Sequence, residues 1–198
     1  MVELIETIKI FGRQLQNIEY HDERFNRTRK ELFGITGEID LRDSIEIPKE
    51  ISSGVYKCRV TYGKEILAVE FVPYVSKNVT SIKLVVDNEI NYAYKYKNRK
   101  CFEDLLFGIA EDEILIIKNG FVTDTSYSNI TFYDGSGWIT PTTYLLNGTK
   151  RQQLLKSGVI HEEAIRVSDV HRFQSCKLIN AMLDWDESPV VRINKIVF

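Results

Sequence analysis

The alternation of apolar and polar side chains begins at once. Val2, Leu4, Ile8 and Ile10 set against Glu3, Thr7 and Lys9 predict a strand over Val2–Phe11, closed by Gly12. A short apolar group at Leu15–Ile18 leads into a helix over Tyr20–Phe33, with Phe25, Leu32 and Phe33 as its apolar stripe and Gly34 at its end. The cations on this helix (Arg24, Arg27, Arg29 and Lys30) read, on spacing alone, as a solvated face. From Ile35 to Ser53 the pattern is weak: Gly37, Pro48 and the Ser52-Ser53-Gly54 cluster punctuate it, and a short helix and a loop are expected. Gly54–Tyr62 and Lys64–Tyr74 are strands joined at Gly63, for which a hairpin is the simplest pairing. Ser81–Asp87 is a further strand, completing a small unit of antiparallel strands and a helix.

The second half changes character. Ile90–Lys100 is aromatic and basic at once, and Cys101–Ala110 carries Phe102, Leu105, Leu106 and Ile109 at helical spacing. Glu113–Lys118 reads as a buried strand, and Phe121–Val122 and Asn129–Tyr133 continue the β pattern. Asp134-Gly135-Ser136-Gly137 is a hairpin turn with Trp138–Pro141 as its return strand. Helices are expected at Thr149–Lys156 and, from the Glu162-Glu163 pair in a first turn, at His161–Ile165. Ser168-Asp169 resembles another helix start, Phe173–Met182 a last core segment, and Val190–Phe198 a C-terminal strand. There is no internal repeat and no low-complexity segment.

Composition narrows the partners. A chain of 198 residues, 43% of them hydrophobic, buries a proper core. A net charge of -2 gives no basic face for nucleic acid. The three cysteines, Cys58, Cys101 and Cys176, are far apart and in no metal-like spacing, which fits free thiols in a reducing compartment and no metal site. The N-terminal run carries Glu3 and Glu6 where a signal peptide needs an apolar core, and no apolar run approaches the roughly 20 residues of a membrane span. A soluble cytoplasmic protein is the expectation.

The stretch Asn119–Leu155 is where chemistry concentrates. It places Asp124 beside small hydroxylated residues and ends in Gly148-Thr149-Lys150-Arg151 at the mouth of a helix, whose backbone N–H groups make an anion site. Lys95, between Tyr94 and Tyr96, is the other candidate. Taken singly each has an ordinary reading: a lysine stem covering apolar surface, a turn aspartate, a plain helix start. His161 and His171 read as surface or cap residues, and His21 as a helix-start residue or an orienting partner for Arg24.

Their order along the chain resembles the class IV aminotransferases, the pyridoxal-phosphate family that holds branched-chain aminotransferase, D-amino-acid aminotransferase and 4-amino-4-deoxychorismate lyase. The resemblance is carried by Glu6-Thr7-Ile8, His21-Asp22-Glu23-Arg24-Phe25, Lys95-Tyr96-Lys97-Asn98-Arg99, Gly120-Phe121-Val122-Thr123-Asp124 with Asn129, Thr140-Pro141, and Gly148-Thr149-Lys150-Arg151. It implies an α+β fold of two domains: a small α+β domain over residues 1–92, and a larger, mainly β domain with flanking helices over 93–198 that carries the cofactor lysine. It implies pyridoxal 5'-phosphate as cofactor, held by Lys95 as a Schiff base, with Lys95 then acting as general acid and base. Asp124 would pair with the pyridine nitrogen, keeping the ring an electron sink. Arg24, the Gly148-Thr149-Lys150 helix start and Asn180 would hold the phosphate. A small amino-acid-like substrate and a homodimer are implied as well.

Three departures stand out. Asp124 occupies a place where the family carries glutamate, the small domain is short over Ile35–Ser53, and the phosphate loop reads Gly-Thr-Lys-Arg. They keep open a cofactor-binding protein with little activity. Between reactions, Asn98-Arg99 and the Leu178–Met182 segment look more like the lyase, which eliminates pyruvate and leaves 4-aminobenzoate. The branched-chain branch carries a tyrosine where this chain has Lys100. An aminotransferase of D- or branched-chain amino acids is the alternative.

Overall fold

The computed structural model describes residues 2–51 and 53–198; Ser52, one of the punctuating residues of the weakly patterned stretch, lies outside them. The chain forms two compact units, Met1–Ser76 with Tyr94–Asn98, and Lys77–Ala93 with Arg99–Phe198. The division therefore differs from a single boundary at 92/93. Residues 77–93 pack with the second unit, and the short excursion holding Lys95 packs with the first.

In the first unit, strands β1 (Leu4–Phe11), β2 (Gln14–Leu15), β3 (Val55–Tyr62) and β4 (Ile66–Pro73) form an antiparallel sheet in the order β2-β1-β3-β4. The expected hairpin at Gly63 is present, with a register irregularity at Thr61/Tyr62. Helix α1 (Ile18–Phe33) starts after Asn17 and ends on Gly34, whose φ of 70° and N–H bonds back to the last turn close the helix. Its buried face is Ile18, His21, Arg24, Phe25, Thr28 and Arg29, the spacing of one helix stripe. Leu32 and Phe33 are only partly covered, and of the cations read as solvated, Arg24 and Arg29 turn inward. Both find acceptors there: Arg29 donates to the Lys64 carbonyl at 2.8 Å and the Gly37 carbonyl at 2.8 Å. A four-residue helix α2 (Leu41–Ser44), capped by Asp40, is the only helix in the punctuated stretch among the described residues. The core joins Leu4, Ile8 and Ile10 of β1 to Cys58, Val60 and Tyr62 of β3 and to Phe25 and Leu41.

The second unit holds two sheets. One has the order β13-β5-β6-β7, with β5 (Ile82–Val86), β6 (Glu113–Lys118), β7 (Phe121–Thr125) and β13 (Ile196–Val197). The other has the order β10-β9-β8-β11-β12, with β8 (Asn129–Tyr133), β9 (Trp138–Pro141), β10 (His161–Glu163), β11 (Ser175–Ile179) and β12 (Val190–Arg192). Helix α3 (Lys100–Leu106) lies on the connection between β5 and β6, which run parallel, so the Ser81–Asp87 strand belongs here and not to the N-terminal sheet. β6 and β7 form a hairpin about Asn119-Gly120, whose φ angles of 52° and 79° explain that pair of residues. Side chains of both sheets form a core from Ile82, Leu115, Ile117, Val122, Ile130, Phe132, Ile139, Cys176 and Leu178. Helix α4 (Thr149–Lys156) follows Gly148.

Two expectations change here. His161–Ile165 is not a helix: residues 161–163 run parallel to β9, where backbone groups of an edge strand supply the pairing that outweighs a local helix start. Val190–Phe198 is not one strand but β12, a 3-10 turn over Ile193–Lys195, and β13, which join different sheets. No helix among the described residues is long and apolar enough to cross a membrane.

Candidate active site

In the first unit the residues singled out by sequence surround Glu6. The period-two alternation of β1 puts Glu6 in the same file as Leu4, Ile8 and Ile10, so a carboxylate enters an apolar core. Arg24 donates from Nε to Glu6 Oε1 at 2.8 Å and from Nη2 to Oε2 at 2.5 Å, and His21 Nδ1 lies 2.6 Å from Oε2. All three are buried. Burial works to raise the Glu6 carboxyl, yet the Arg24 charge and the hydrogen bonds of His21 and Arg24 bring it down to about 2. Burial, aided by Arg24 and Lys95, pushes His21 below its ordinary value against the pull of Glu6, leaving a neutral imidazole. Since Glu6 is then an acceptor only, the proton of that imidazole sits on Nδ1. Lys95 is half-buried in the same unit; its carbonyl accepts from Ile5 N–H at 2.9 Å, and the neighbouring Tyr96 bridges to Leu4, so its backbone is held along β1.

In the second unit Asp124, Gly148–Lys150 and Asn180 come together around the start of β8. Asp124 is the penultimate residue of β7 and is buried. Its Oδ2 accepts the backbone N–H groups of Leu145 and Leu146 at 2.9 Å each, and its Oδ1 accepts from Asn129 Nδ2 at 2.7 Å. Burial pushes its carboxyl up to about 6, while these three hydrogen bonds and the charge of Arg151 pull the other way. The turn between β7 and β8 is pinned from below by Glu113, whose Oε1 accepts from Ser126 N–H at 3.1 Å and from Ile114 N–H at 2.9 Å. Asn180 follows β11 and donates to Ser128 Oγ at 3.0 Å, beside the Ile179–Asn129 pair of the sheet.

Gly148 is the N-cap of α4 in extended conformation (φ −69°, ψ 144°), and a glycine brings no side-chain acceptor to the first-turn N–H groups. A Cβ there would run into Asn129 Oδ1 and lie 3.2 Å from Asn129 Cγ. Thr149, Lys150 and Arg151 are buried in that first turn. Arg151 donates to the Pro141 carbonyl at 3.0 Å and to Glu162, and stacks 4.3 Å from the Tyr144 ring. Sequence reasoning assigned roles to neither Glu6 nor Asn129, although both stand inside the quoted motifs. The signals were a carboxylate in an apolar file and an amide placed five residues after Asp124.

Residues 108–193 match the family model described as amino-transferase class IV. An uncharacterized protein from Haemophilus influenzae is 36% identical over 185 residues, 92% of this chain and 98% of that protein. The crystal structure of a protein from Haemophilus somnus proposed to be a 4-amino-4-deoxychorismate lyase is similar with a TM-score of 0.85 and 32% identity, covering 92% of this chain and 97% of that one. The chain belongs to the amino-transferase class IV family. It is thus an enzyme of pyridoxal-phosphate chemistry with the α+β fold of that family. An aminotransferase from Brucella abortus bound to the cofactor PLP is similar in fold, with a TM-score of 0.68 at 18% identity over 98% of this chain and 81% of that one.

The residues of the second unit suit that cofactor. A buried carboxyl whose hydrogen-bond donors are all neutral is stabilised in its ionised form by an added cation such as a pyridinium. A helix start whose N-cap residue brings no side-chain acceptor leaves its first turn suited to a phosphate. The family-model match contains Asp124, Gly148–Lys150 and Asn180, whereas Arg24 and Lys95 precede it.

Proposed function

We propose that the protein is a pyridoxal-phosphate-dependent lyase that converts 4-amino-4-deoxychorismate to 4-aminobenzoate and pyruvate. The observation that carries this reading is the 32% identity, over 97% of that chain, with the Haemophilus somnus protein proposed to have that activity. Lys100 supports it: the branched-chain branch has a tyrosine at this place, and here an exposed lysine opens α3 and pairs with Asp104 at 2.8 Å.

The roles follow residue by residue. When bound, the cofactor supplies an electron sink that lets a Cα–H bond of the substrate ionise. Lys95 Nζ would hold the cofactor covalently and, as a free amine, would take the Cα proton of the substrate and return it later in the reaction. The Asp124 carboxylate keeps the pyridine nitrogen protonated. The first-turn N–H groups after Gly148, with Thr149, Lys150 and Asn180, hold the phosphate. Arg24 contributes a fixed positive charge to the phosphate, its guanidinium plane set by Glu6.

A titration with pyridoxal phosphate followed by borohydride and peptide mapping is expected to place a pyridoxyl group on Lys95. Loaded enzyme given aminodeoxychorismate is expected to release 4-aminobenzoate and pyruvate in equal amounts, and no product from fully loaded enzyme overturns the lyase. The Brucella abortus fold likeness makes an aminotransferase the second reading. Keto-acid formation from D- or branched-chain amino acids with 2-oxoglutarate, in the absence of lyase turnover, would replace the first reading with that one. Pyridoxal phosphate bound at Lys95 with neither activity would leave a cofactor-binding protein.

A further inference from the structure

Asn129 stands at the junction of everything the second unit offers a ligand. It opens β8, is buried, and its Nδ2 donates twice: to Asp124 Oδ1 at 2.7 Å and to the Leu146 carbonyl at 2.8 Å. Its Oδ1 lies against Gly148, close enough that no Cβ fits there. The segment from Leu145 to Gly148 is therefore strapped to the Asp124–Asn129 pair at three points. The Leu145 and Leu146 N–H groups close on Asp124, the Leu146 carbonyl closes on the amide, and the bare Cα of Gly148 rests against the amide oxygen. Asn129 is itself fixed by its pairing with Ile179 across the sheet.

We propose that Asn129 is a positioning residue that sets the distance between the Asp124 carboxylate and the first turn of α4, so that one ligand is measured between a cationic ring nitrogen and a phosphate. This rests on the roles given above to Asp124 and to Gly148–Lys150. It also explains why the cap is glycine. The close approach of Asn129 forbids a side chain, so the glycine is a consequence of the strap as much as of the phosphate. The side-chain chemistry at 129 is narrowly constrained. The position needs two donors and a compact acceptor on one plane; aspartate would set a second carboxylate against Asp124, and leucine would leave Asp124 Oδ1 and the Leu146 carbonyl without this donor in a buried place. The hydrogen bond from Asn129 is one of those that hold the Asp124 carboxyl down against burial, which pushes it up to about 6.

The test is a mutant cycle read by pyridoxal-phosphate affinity of the apoprotein and by the pH dependence of the bound cofactor's absorption. Asn129→Ala is expected to weaken the cofactor about tenfold, the scale of a hydrogen bond to a charged group. It is also expected to shift the pH midpoint of the spectrum, which a merely structural role would not move. Gly148→Ala alone is expected to weaken the cofactor by about a hundredfold, since the new Cβ forces Asn129 and α4 apart. In the double variant the collision is gone, so the cofactor binds no worse than to Asn129→Ala within about threefold. Additive losses, or an Asn129→Ala protein with wild-type affinity and midpoint, overturn the proposal. Should Asn129→Ala fail to fold, Asn129→Asp carries the test. A protonated carboxyl restores one donor, so its affinity defect is expected to be at least about fivefold larger at pH 8 than at pH 5.5, and a pH-independent defect overturns the proposal. Wild-type protein that binds no cofactor, or is labelled away from Lys95, overturns both this inference and the proposed function. Normal wild-type labelling with indifferent Asn129 variants overturns this inference alone.

Discussion

Each unit buries one carboxyl in an arrangement the family motifs single out, and the two are solved in opposite ways. Glu6 has no exposure at all, and the chain surrounds it with the guanidinium of Arg24 and the imidazole of His21, so it stays ionised with its carboxyl down at about 2. Asp124 accepts as many hydrogen bonds, but from an amide and two backbone N–H groups, and it is pushed up to about 6. At Asp124 the neutral donors and the more remote Arg151 charge leave burial ahead, whereas at Glu6 the Arg24 charge bonded directly to the carboxylate, with the hydrogen bonds, outweighs it. The first unit carries that charge itself, which makes Glu6 a structural anchor for Arg24. On the function proposed above, the second unit leaves most of it to a ligand, and Asp124 is proposed as the receptor for a cation.

The largest effect that would break this comparison is at Glu6. Glu6→Ala strands a buried guanidinium and is expected to cost about 3–5 kcal/mol in urea unfolding at pH 7. Glu6→Gln keeps an acceptor and is expected to cost less. A loss under about 1 kcal/mol for Glu6→Ala would mean that Glu6 is not the anchor. Asp124→Asn is expected to behave in the opposite way. The apoprotein at pH 8 loses a buried charge with no ionic partner bonded to it, which offsets most of the cost of an amide nitrogen facing a donor, so its stability falls by no more than about 1 kcal/mol, while affinity for pyridoxal phosphate falls by about tenfold or more. An apoprotein destabilised as severely as Glu6→Ala would show that Asp124 is structural too.

The two carboxyls also give pH slopes of opposite sign. Glu6 is depressed in the folded state, so its contribution is present above the unfolded value of 4.5 and is lost as pH falls toward about 2. Asp124 is raised, so its contribution is present below the unfolded value of 3.8 and is lost as pH rises through about 6. His21, lowered by burial, adds stability above its unfolded value of 6.5 that is lost as pH falls, a slope opposite in sign to that of Asp124. The difference between wild-type and Asp124→Asn apoprotein isolates Asp124. It is expected to move against the wild type between pH 4 and 6 and to level off above, and bound cofactor is expected to flatten it. A flat difference without cofactor would place Asp124 among fully compensated carboxylates.

Much of this was legible in the residues, for reasons that also mark where legibility ended. The β1 alternation shows its apolar file, and Glu6 sitting in that file is a visible anomaly whose explanation, Arg24 and His21 on α1, needs the tertiary pairing. The strands on either side of Asn119-Gly120 are legible, and the positive φ angles of that pair supply the tight turn between them. β10 was invisible because its three residues include the glutamate pair that gives a local helix signal, and only the distant β9 makes them a strand. The excursion of Tyr94–Asn98 was missed for the same reason: its hydrogen bonds are to Glu3 and Ile5, on the far side of the chain from its neighbours in sequence. Asp124 and Gly148 are recognisable by motif, but that Asn129 joins them is a fact of packing.

The smallest expected effect lies at the rim of the second carboxyl. The Arg151 charge acts on Asp124, and Arg151 bonds Glu162, whose side chain is 42% exposed. A half-exposed partner adds little, so Glu162→Gln is expected to cost no more than about 1 kcal/mol of stability. Removing that negative charge nevertheless leaves the Arg151 charge less compensated, and the sign of its action on Asp124 is fixed: it lowers the carboxyl. In apoprotein, the pH at which the Asp124 contribution disappears should therefore move down by a few tenths of a unit in Glu162→Gln, readable by carboxyl-selective NMR or by the same unfolding difference. A shift upward would mean that Glu162, and not the field of Arg151, sets the environment of Asp124 from that side. The second unit would then supply internally part of what has here been assigned to the ligand.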